Sequence, residues 1–202
     1  MGVRSQKMNS TLQGEPKSSF LSCEKDLESI IHKLFIEDKT VSNYLKRLLA
    51  VNTSDCLIDK TNPAYIDKVN RLSIKKLLDD GYIRISPKIE RKENEEVKSY
   101  IRINFDNFTE SSNPEYRDCI VEIDVLCHTD YWELENYQLR PIKIVGYIDA
   151  ILNKAKLSGI GTLNFFGCTE VTLSNDLSGY CLMYQATHGN DDSIPEEDED
   201  ND

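Results

Sequence analysis

The three histidines of the chain, His32, His128 and His188, are its first candidates for acid–base chemistry. His32 lies among apolar residues of a helical pattern, and His188 stands at the end of a strand pattern. His128 precedes Asp130 by two residues, but no serine or cysteine is placed locally for such a pair to activate. An enzyme site needs a nucleophile with a base, a paired acid and base, or a metal. We therefore expect none of these histidines to be catalytic.

Cysteine is the next candidate, because thiols can be nucleophiles, metal ligands or disulfide partners. No CxxC pair occurs, and the spacings match no zinc-binding pattern. Cys127 and His128 are adjacent, but neighbours in a strand point to opposite faces and cannot easily bind one metal. The spacing therefore favours structural thiols. The six cysteines are at positions 23, 56, 119, 127, 168 and 181.

Two further motifs are weak candidates for ligand binding. Ser158-Gly159-Ile160-Gly161 resembles a phosphate loop, but it follows a helical pattern and precedes a strand, which is the reverse of the required order. Glu122 and Asp124 share one face of a predicted strand without a third carboxylate, so a solvated or partner-facing sheet surface explains them better than a metal site. The sequence predicts no catalytic, cofactor or metal site, and we expect the chain not to be an enzyme. A small hydrolase ranks third among the functions considered.

The densest aromatic patch contains Tyr131, Trp132, Leu134 and Tyr137, including the only tryptophan. It lies between a predicted strand and a predicted helix. Aromatic residues in such a loop either anchor the loop on the core or contact a partner, where aromatics are often hot spots. We regard these four residues as a candidate subunit interface, with anchoring as the alternative.

The elements that position this patch follow from two hydrophobic periods. From Cys119 to Cys127 every second residue is apolar or cysteine, the alternation of a half-buried strand. Ile142, Val145, Ile148 and Leu152 then recur at helical spacing. A strand that leads into a helix able to cover the same sheet indicates an α+β domain.

The remaining patterns place helices first and strands afterwards. Two helical patterns cover Leu27–Phe35 and Val41–Leu49, and a weaker third pattern runs from Tyr65 to Leu78. The predicted strands outside Cys119–His128 are Tyr82–Ile85, Tyr100–Phe105, Thr162–Cys168 and Tyr180–Thr187, with a turn at Asn175-Asp176 between the last two. The predicted fold is α+β, a mostly antiparallel sheet with helices packed on one face, preceded by an N-terminal helical segment. Pro87 indicates that the first strand lies at an edge of the sheet or ends there.

Charge and composition divide the chain into three parts. The net charge is −11, but residues 191–202 hold eight acidic side chains and no basic one, so the rest of the chain carries −3. We expect a flexible arm over 1–20, one domain over 21–190 (helical over about 22–80, β-rich over about 81–190) and a disordered acidic tail over 191–202. The chain shows no basic stripe for nucleic-acid binding, no signal peptide and no membrane-spanning segment.

The order of these elements resembles the tail-terminator and neck proteins of tailed bacteriophages. The resemblance covers about half to two-thirds of the chain and is one of topology, without an invariant signature. It implies a homo-oligomeric ring, a hexamer or dodecamer, between the head connector and the tail of a virion assembled in the host cytoplasm. It also implies contacts with portal, adaptor and tail proteins, passage of DNA without specific binding, no membrane and no cofactor. The segments that carry it are SYIRINFDNF (99–108), residues 117–153, GTLNFFGC (161–168) and GYCLMYQATH (179–188).

A cytosolic adaptor, or an acidic DNA mimic that binds a nucleic-acid-binding protein, is the alternative function. The eight carboxylates of the tail motivate it.

Overall fold

The computed structural model describes residues 19–58, 63–85, 98–111, 117–157 and 159–188. The acidic tail predicted over 191–202, and the predicted arm up to residue 18, lie outside these ranges. Within the described residues the fold is α+β, as the hydrophobic periods predict.

Four helices and one π-helical turn form the described residues of the N-terminal part. They are α1 (Ser19–His32), the π-helical turn Lys33–Glu37, α2 (Lys39–Ala50), α3 (Pro63–Asn70) and α4 (Ile74–Asp79). The third predicted helical stretch is thus two helices. The Ser73 hydroxyl caps the second one, accepting a hydrogen bond from the Lys76 backbone N–H at 3.2 Å. Sequence reasoning missed this break because the apolar spacing continues through it.

Long strands and one long helix form the rest of the described chain. They are β1 (Ile83–Arg84), β2 (Tyr100–Glu110), β3 (Arg117–His128), β4 (Glu133–Leu134), β5 (Gln138–Leu139), α5 (Arg140–Leu152), β6 (Lys156–Leu157), β7 (Gly161–Thr162), β8 (Asn164–Ser174) and β9 (Leu177–His188). The main sheet of the described part has the strand order β1-β2-β3-β9-β8. In this sheet β1 pairs with β2 in parallel, and the other neighbouring strands pair antiparallel. The mostly antiparallel sheet is confirmed, and β1 lies at its edge.

One face of the sheet packs against the helices. The odd-numbered residues of β3 from Cys119 to Cys127 are all at most 2% exposed. Helix α5 contacts β3 and β9 and buries Ile144, Ile148 and Leu152. The predicted helical stripe is therefore wrong at Ile142, which is 45% exposed. The buried stripe starts instead at Pro141, because Arg140 and Pro141 begin the helix with their side chains inward.

The opposite face of the sheet carries a cross-strand polar ladder. Arg102 of β2 forms an ion pair with Asp124 of β3, and Asn104 Nδ2 donates to Glu122 Oε2 at 2.9 Å. Asp124 is only 4% exposed, so the expectation that it lies on a solvated or partner-facing surface is wrong at this position. The register places Arg102 directly opposite Asp124, and the guanidinium group pairs with the carboxylate.

The last two strands form a long hairpin whose outer strand is an edge of the sheet. Asn175 and Asp176 form its two-residue turn, as predicted. The other strand of the hairpin, β9, lies very close to β3 at Gly179, where an added Cβ would stand 1.8 Å from the Val125 carbonyl oxygen. This position therefore requires glycine. The outer strand β8 is exposed along most of its length.

Candidate interaction surface

The connector, residues 129–139 between β3 and α5, is fixed to the core at its aromatic start. Trp132 Nε1 donates a hydrogen bond to the Cys127 carbonyl oxygen at 3.2 Å, and the Trp132 ring lies 6.5 Å from the Tyr180 ring. Leu134 is 7% exposed and belongs to the hydrophobic core. Trp132 and Leu134 thus make the anchoring contacts that were one of the two alternatives for this patch.

Arg140 fixes the other end of the connector. Its side chain is fully buried, and its guanidinium group donates to four backbone carbonyl oxygens. One acceptor belongs to the connector, and three belong to the end of α2 and the loop after it. The distances are 2.7 Å to Tyr131, 2.7 Å to Leu48, 2.8 Å to Val51 and 2.8 Å to Thr53. A charged donor makes stronger hydrogen bonds than a neutral one, so this cluster holds the connector rigidly against the helical layer.

The backbone of the connector supports the same arrangement. The Arg140 N–H donates to the Trp132 carbonyl oxygen at 2.7 Å, and the Glu135 N–H donates to the Ser54 carbonyl oxygen at 3.0 Å. The short strands β4 and β5 close a three-residue loop, residues 135–137. The loop therefore projects from a base that is held on both sides.

Tyr137 occupies the tip of this loop and is completely exposed, at 104% of its reference area. Asn136 and Tyr137 both adopt left-handed backbone angles, with φ values of 61° and 60°. Asparagine tolerates this region, whereas for most L-residues it costs about 1–2 kcal/mol. A large aromatic side chain held in strain and in full contact with water is typical of a functional site rather than of a folding requirement.

The connector patch comprises the exposed apolar residues Tyr137, Leu139 and Ile142 and the exposed acidic residues Glu133 and Glu135. Leu139 and Ile142 are 40% and 45% exposed. Glu133 lies opposite Leu139 in the β4–β5 pair, so charged and apolar groups share this surface. Of the four residues predicted as an interface, Tyr137 is in this patch, Tyr131 is partly exposed, and Trp132 and Leu134 face inward.

Sequence reasoning missed Arg140, Leu139 and Ile142 as parts of this surface. An arginine next to an apolar helical stripe was the available signal for Arg140, since its charge has to be satisfied if it is buried. The sequence held no signal that Ile142 is exposed, because its spacing fits the apolar stripe predicted to face the sheet.

The structure does not bring the histidines into a catalytic arrangement among the described residues. His128 is 9% exposed, and its Nδ1 accepts a hydrogen bond from the Asp130 N–H at 3.2 Å, so the ring caps the first turn of the connector. His32 lines an open cleft of about 520 Å³ between α1 and β6, together with Asp26, Glu37 and Lys156. The nearby Ser29 hydroxyl donates to the Lys25 carbonyl oxygen at 2.9 Å. The His188 side chain lies outside the described part.

The described cysteines are free thiols, and most are buried. Burial raises the pKa of Cys119 to about 12, the pKa of Cys127 to about 11 and the pKa of Cys181 to about 12. Because the thiolate is the reactive form, these three thiols are poor nucleophiles near neutral pH. No group of three or more His, Cys, Asp or Glu side chains in the described ranges is arranged to hold a metal ion. No helix in the same ranges is both long and apolar enough to cross a membrane.

Comparison with known proteins assigns a family. The model of the YomW family matches residues 42–186, which is more than half of the chain. The chain belongs to the YomW family. This family name is phage-derived, so the phage-related part of the resemblance is supported.

The other comparisons add little to the YomW assignment. No curated protein sequence matches the chain. Among solved structures, a chain of "Virion of native gene transfer agent (GTA) particle" is similar at a TM-score of 0.40 and 11% identity, over 61% of this chain and 90% of that chain. A TM-score this low carries no argument about this protein. The YomW match runs from α2 into β9, so the connector, Arg140 and the edge strand β8 all lie within it.

Proposed function

We propose that this YomW-family protein is a structural subunit of a phage virion that forms a ring in the neck or tail. The ring joins the portal side of the head to the tail, contacts portal, adaptor and tail proteins, and surrounds the path of the DNA. A hexamer or a dodecamer is the expected state. The phage-derived family name and the order of the elements support this proposal.

The observation that carries the proposal is the rigid, strained display of Tyr137. The contacts of the connector hold the backbone beneath Tyr137, so only the tyrosine side chain has to be ordered when a partner covers it. Leu139 and Ile142 extend the apolar area beside it. Such a surface on a phage structural protein is suited to permanent contacts between subunits.

The exposed edge of the sheet supports assembly as well. Strand β8 is eleven residues long and exposes the large apolar side chains of Phe165, Phe166 and Leu173. Long, apolar edge strands invite pairing with other chains, and folded proteins usually protect them. A closed ring protects such an edge in every subunit with the same contact.

The proposal includes no catalytic role. Its competitor, the adaptor or DNA mimic, depends on residues 191–202. Deleting these twelve residues therefore separates the two, since a mimic would lose its partner and a ring subunit would still assemble.

Native mass spectrometry tests the proposal. The full chain is measured alone at high concentration and again with a portal or tail protein from the same virion, because a ring subunit can wait for its neighbour before assembling. We expect one discrete ring-sized species in at least one condition. A strictly monomeric chain in both conditions would overturn the proposal.

A further inference from the structure

We propose that the ring contact is head-to-tail, with the connector patch of one subunit docking on the edge patch of a second copy. The edge patch comprises Lys154, Lys156, Phe165 and Phe166. This inference rests on the proposed function and specifies the two surfaces that meet.

The edge patch is apolar with a basic border. Phe165 and Phe166 are 46% and 63% exposed, and they are the second and third residues of β8. Phe166 stands at a register shift between Phe165 and Gly167, where it is left out of the pairing with β9. Lys154 and Lys156 are both exposed, and no acidic residue stands between them and Phe166 in the sequence, although Lys156 also borders the cleft lined by Asp26 and Glu37.

The edge patch is held in place by its own contacts. Lys154 Nζ donates to Asn164 Oδ1 at 2.7 Å, which holds one basic group at the start of β8. The Phe165 ring meets the Tyr184 ring edge-on with centroids 6.1 Å apart, and the Phe165 N–H donates to Asn153 Oδ1 at 3.4 Å. An ordered patch of this kind needs little rearrangement to receive a partner.

The connector patch has the opposite charge. From residue 129 to residue 139 the sequence contains three acidic residues, Asp130, Glu133 and Glu135, and no lysine or arginine. All three are exposed. The two patches therefore match in both respects, because each is apolar in part and their charges are opposite.

The positions of the two patches suit a head-to-tail contact. The connector patch lies at the start of α5, and Lys154 follows the end of α5. Thirteen helical residues span about 20 Å, so the patches lie at opposite ends of this helix. A two-fold contact of either patch with itself would bring like charges together. A head-to-tail contact pairs opposite charges in every subunit and produces a ring when the rotation closes.

Charge reversal tests this directly. Variant A carries Glu133→Lys and Glu135→Lys, so both of its patches are basic. Variant B carries Lys154→Glu and Lys156→Glu, so both are acidic. We expect each variant alone to need about 30-fold more protein for half-assembly than the wild type, since two attractive contacts become repulsive.

Complementation is the decisive step. In a mixture, the basic connector patch of A meets the acidic edge patch of B, and the acidic connector patch of B meets the basic edge patch of A. These two contacts alternate around an even-numbered ring. We therefore expect the mixture to assemble at wild-type concentrations, as should one chain that carries all four substitutions. Lys68→Glu with Lys75→Glu, and Glu24→Lys with Asp79→Lys, reverse exposed charges on other helices and serve as matched controls that should assemble normally.

Sedimentation velocity under the condition in which the wild type assembles measures each sample, and circular dichroism verifies that A and B are folded. If the wild type assembles and A or B assembles equally well, the inference is refuted while the proposed ring stands. Failure of both the A–B mixture and the four-substitution chain to assemble would also refute it. A wild type that stays monomeric in every condition overturns the ring and this inference together.

Discussion

Replacing Arg140 with methionine removes the clamp between the connector and the end of α2. Methionine preserves much of the side-chain volume and flexibility, but it cannot donate to the four carbonyl oxygens. Two of these acceptors, Leu48 and Val51, receive their bonds in the buried interior, whereas those of Tyr131 and Thr53 are partly accessible.

The magnitude follows from the buried acceptors. A buried polar group left without a partner costs about 1–3 kcal/mol, while partly exposed carbonyls can turn to water. Two buried carbonyls therefore predict a loss of about 4 kcal/mol in the free energy of unfolding for Arg140→Met. Arg140→Lys keeps the charge without the planar fork and should lose about half as much.

Urea unfolding followed by circular dichroism measures these changes. Arg71→Met is the matched control, because the Arg71 side chain is 83% exposed and 3.9 Å from Asp67, and it should unfold like the wild type. A loss below about 1 kcal/mol for Arg140→Met would refute the argument that buried hydrogen bonding of Arg140 fixes the connector.

Three further predictions concern the tip, the sheet and the thiols. Tyr137→Asn relieves the left-handed strain, so we expect the thermal unfolding midpoint of the unassembled chain to rise by about 2–4 °C while ring assembly weakens. Differential scanning calorimetry measures the midpoint and sedimentation velocity measures assembly. Unchanged assembly would argue against Tyr137 as a subunit contact. Gly179→Ala forces a Cβ onto the Val125 carbonyl oxygen, and urea unfolding should show a loss of about 3 kcal/mol or more. The pKa values of Cys119 and Cys181 rise from 9.0 to about 12 on folding, so the unfolded chain releases these protons first as the pH increases. Stability should be intact below pH 9 and fall between pH 9 and 12, by at most about 1.4 kcal/mol per pH unit for each thiol; a flat urea midpoint across that window would contradict the cause given for the shifts.

The sequence was a reliable guide wherever one physical requirement decided the outcome. The alternation from Cys119 to Cys127 predicted the buried face of β3 correctly, because a strand has only two faces. The turn at Asn175-Asp176 was predictable because few residues suit a two-residue hairpin.

The sequence was a poor guide where distant contacts decided the outcome. Asp124 is buried because Arg102 faces it from another strand, and this pairing depends on a register that periodicity does not specify. Ile142 is exposed because Arg140 turns inward to reach carbonyls about ninety residues earlier in the chain. The aromatic patch divided into anchors and an exposed tip for the same reason, since the loop geometry at Asn136 and Tyr137 determines which ring points outward.

Electron microscopy of the purified full chain, alone and mixed with a portal or tail protein of its virion, tests the ring most directly. The proposed function predicts class averages of closed rings with six- or twelve-fold rotational symmetry and a central opening wide enough for DNA. Single subunits or open, irregular aggregates in both samples would contradict it.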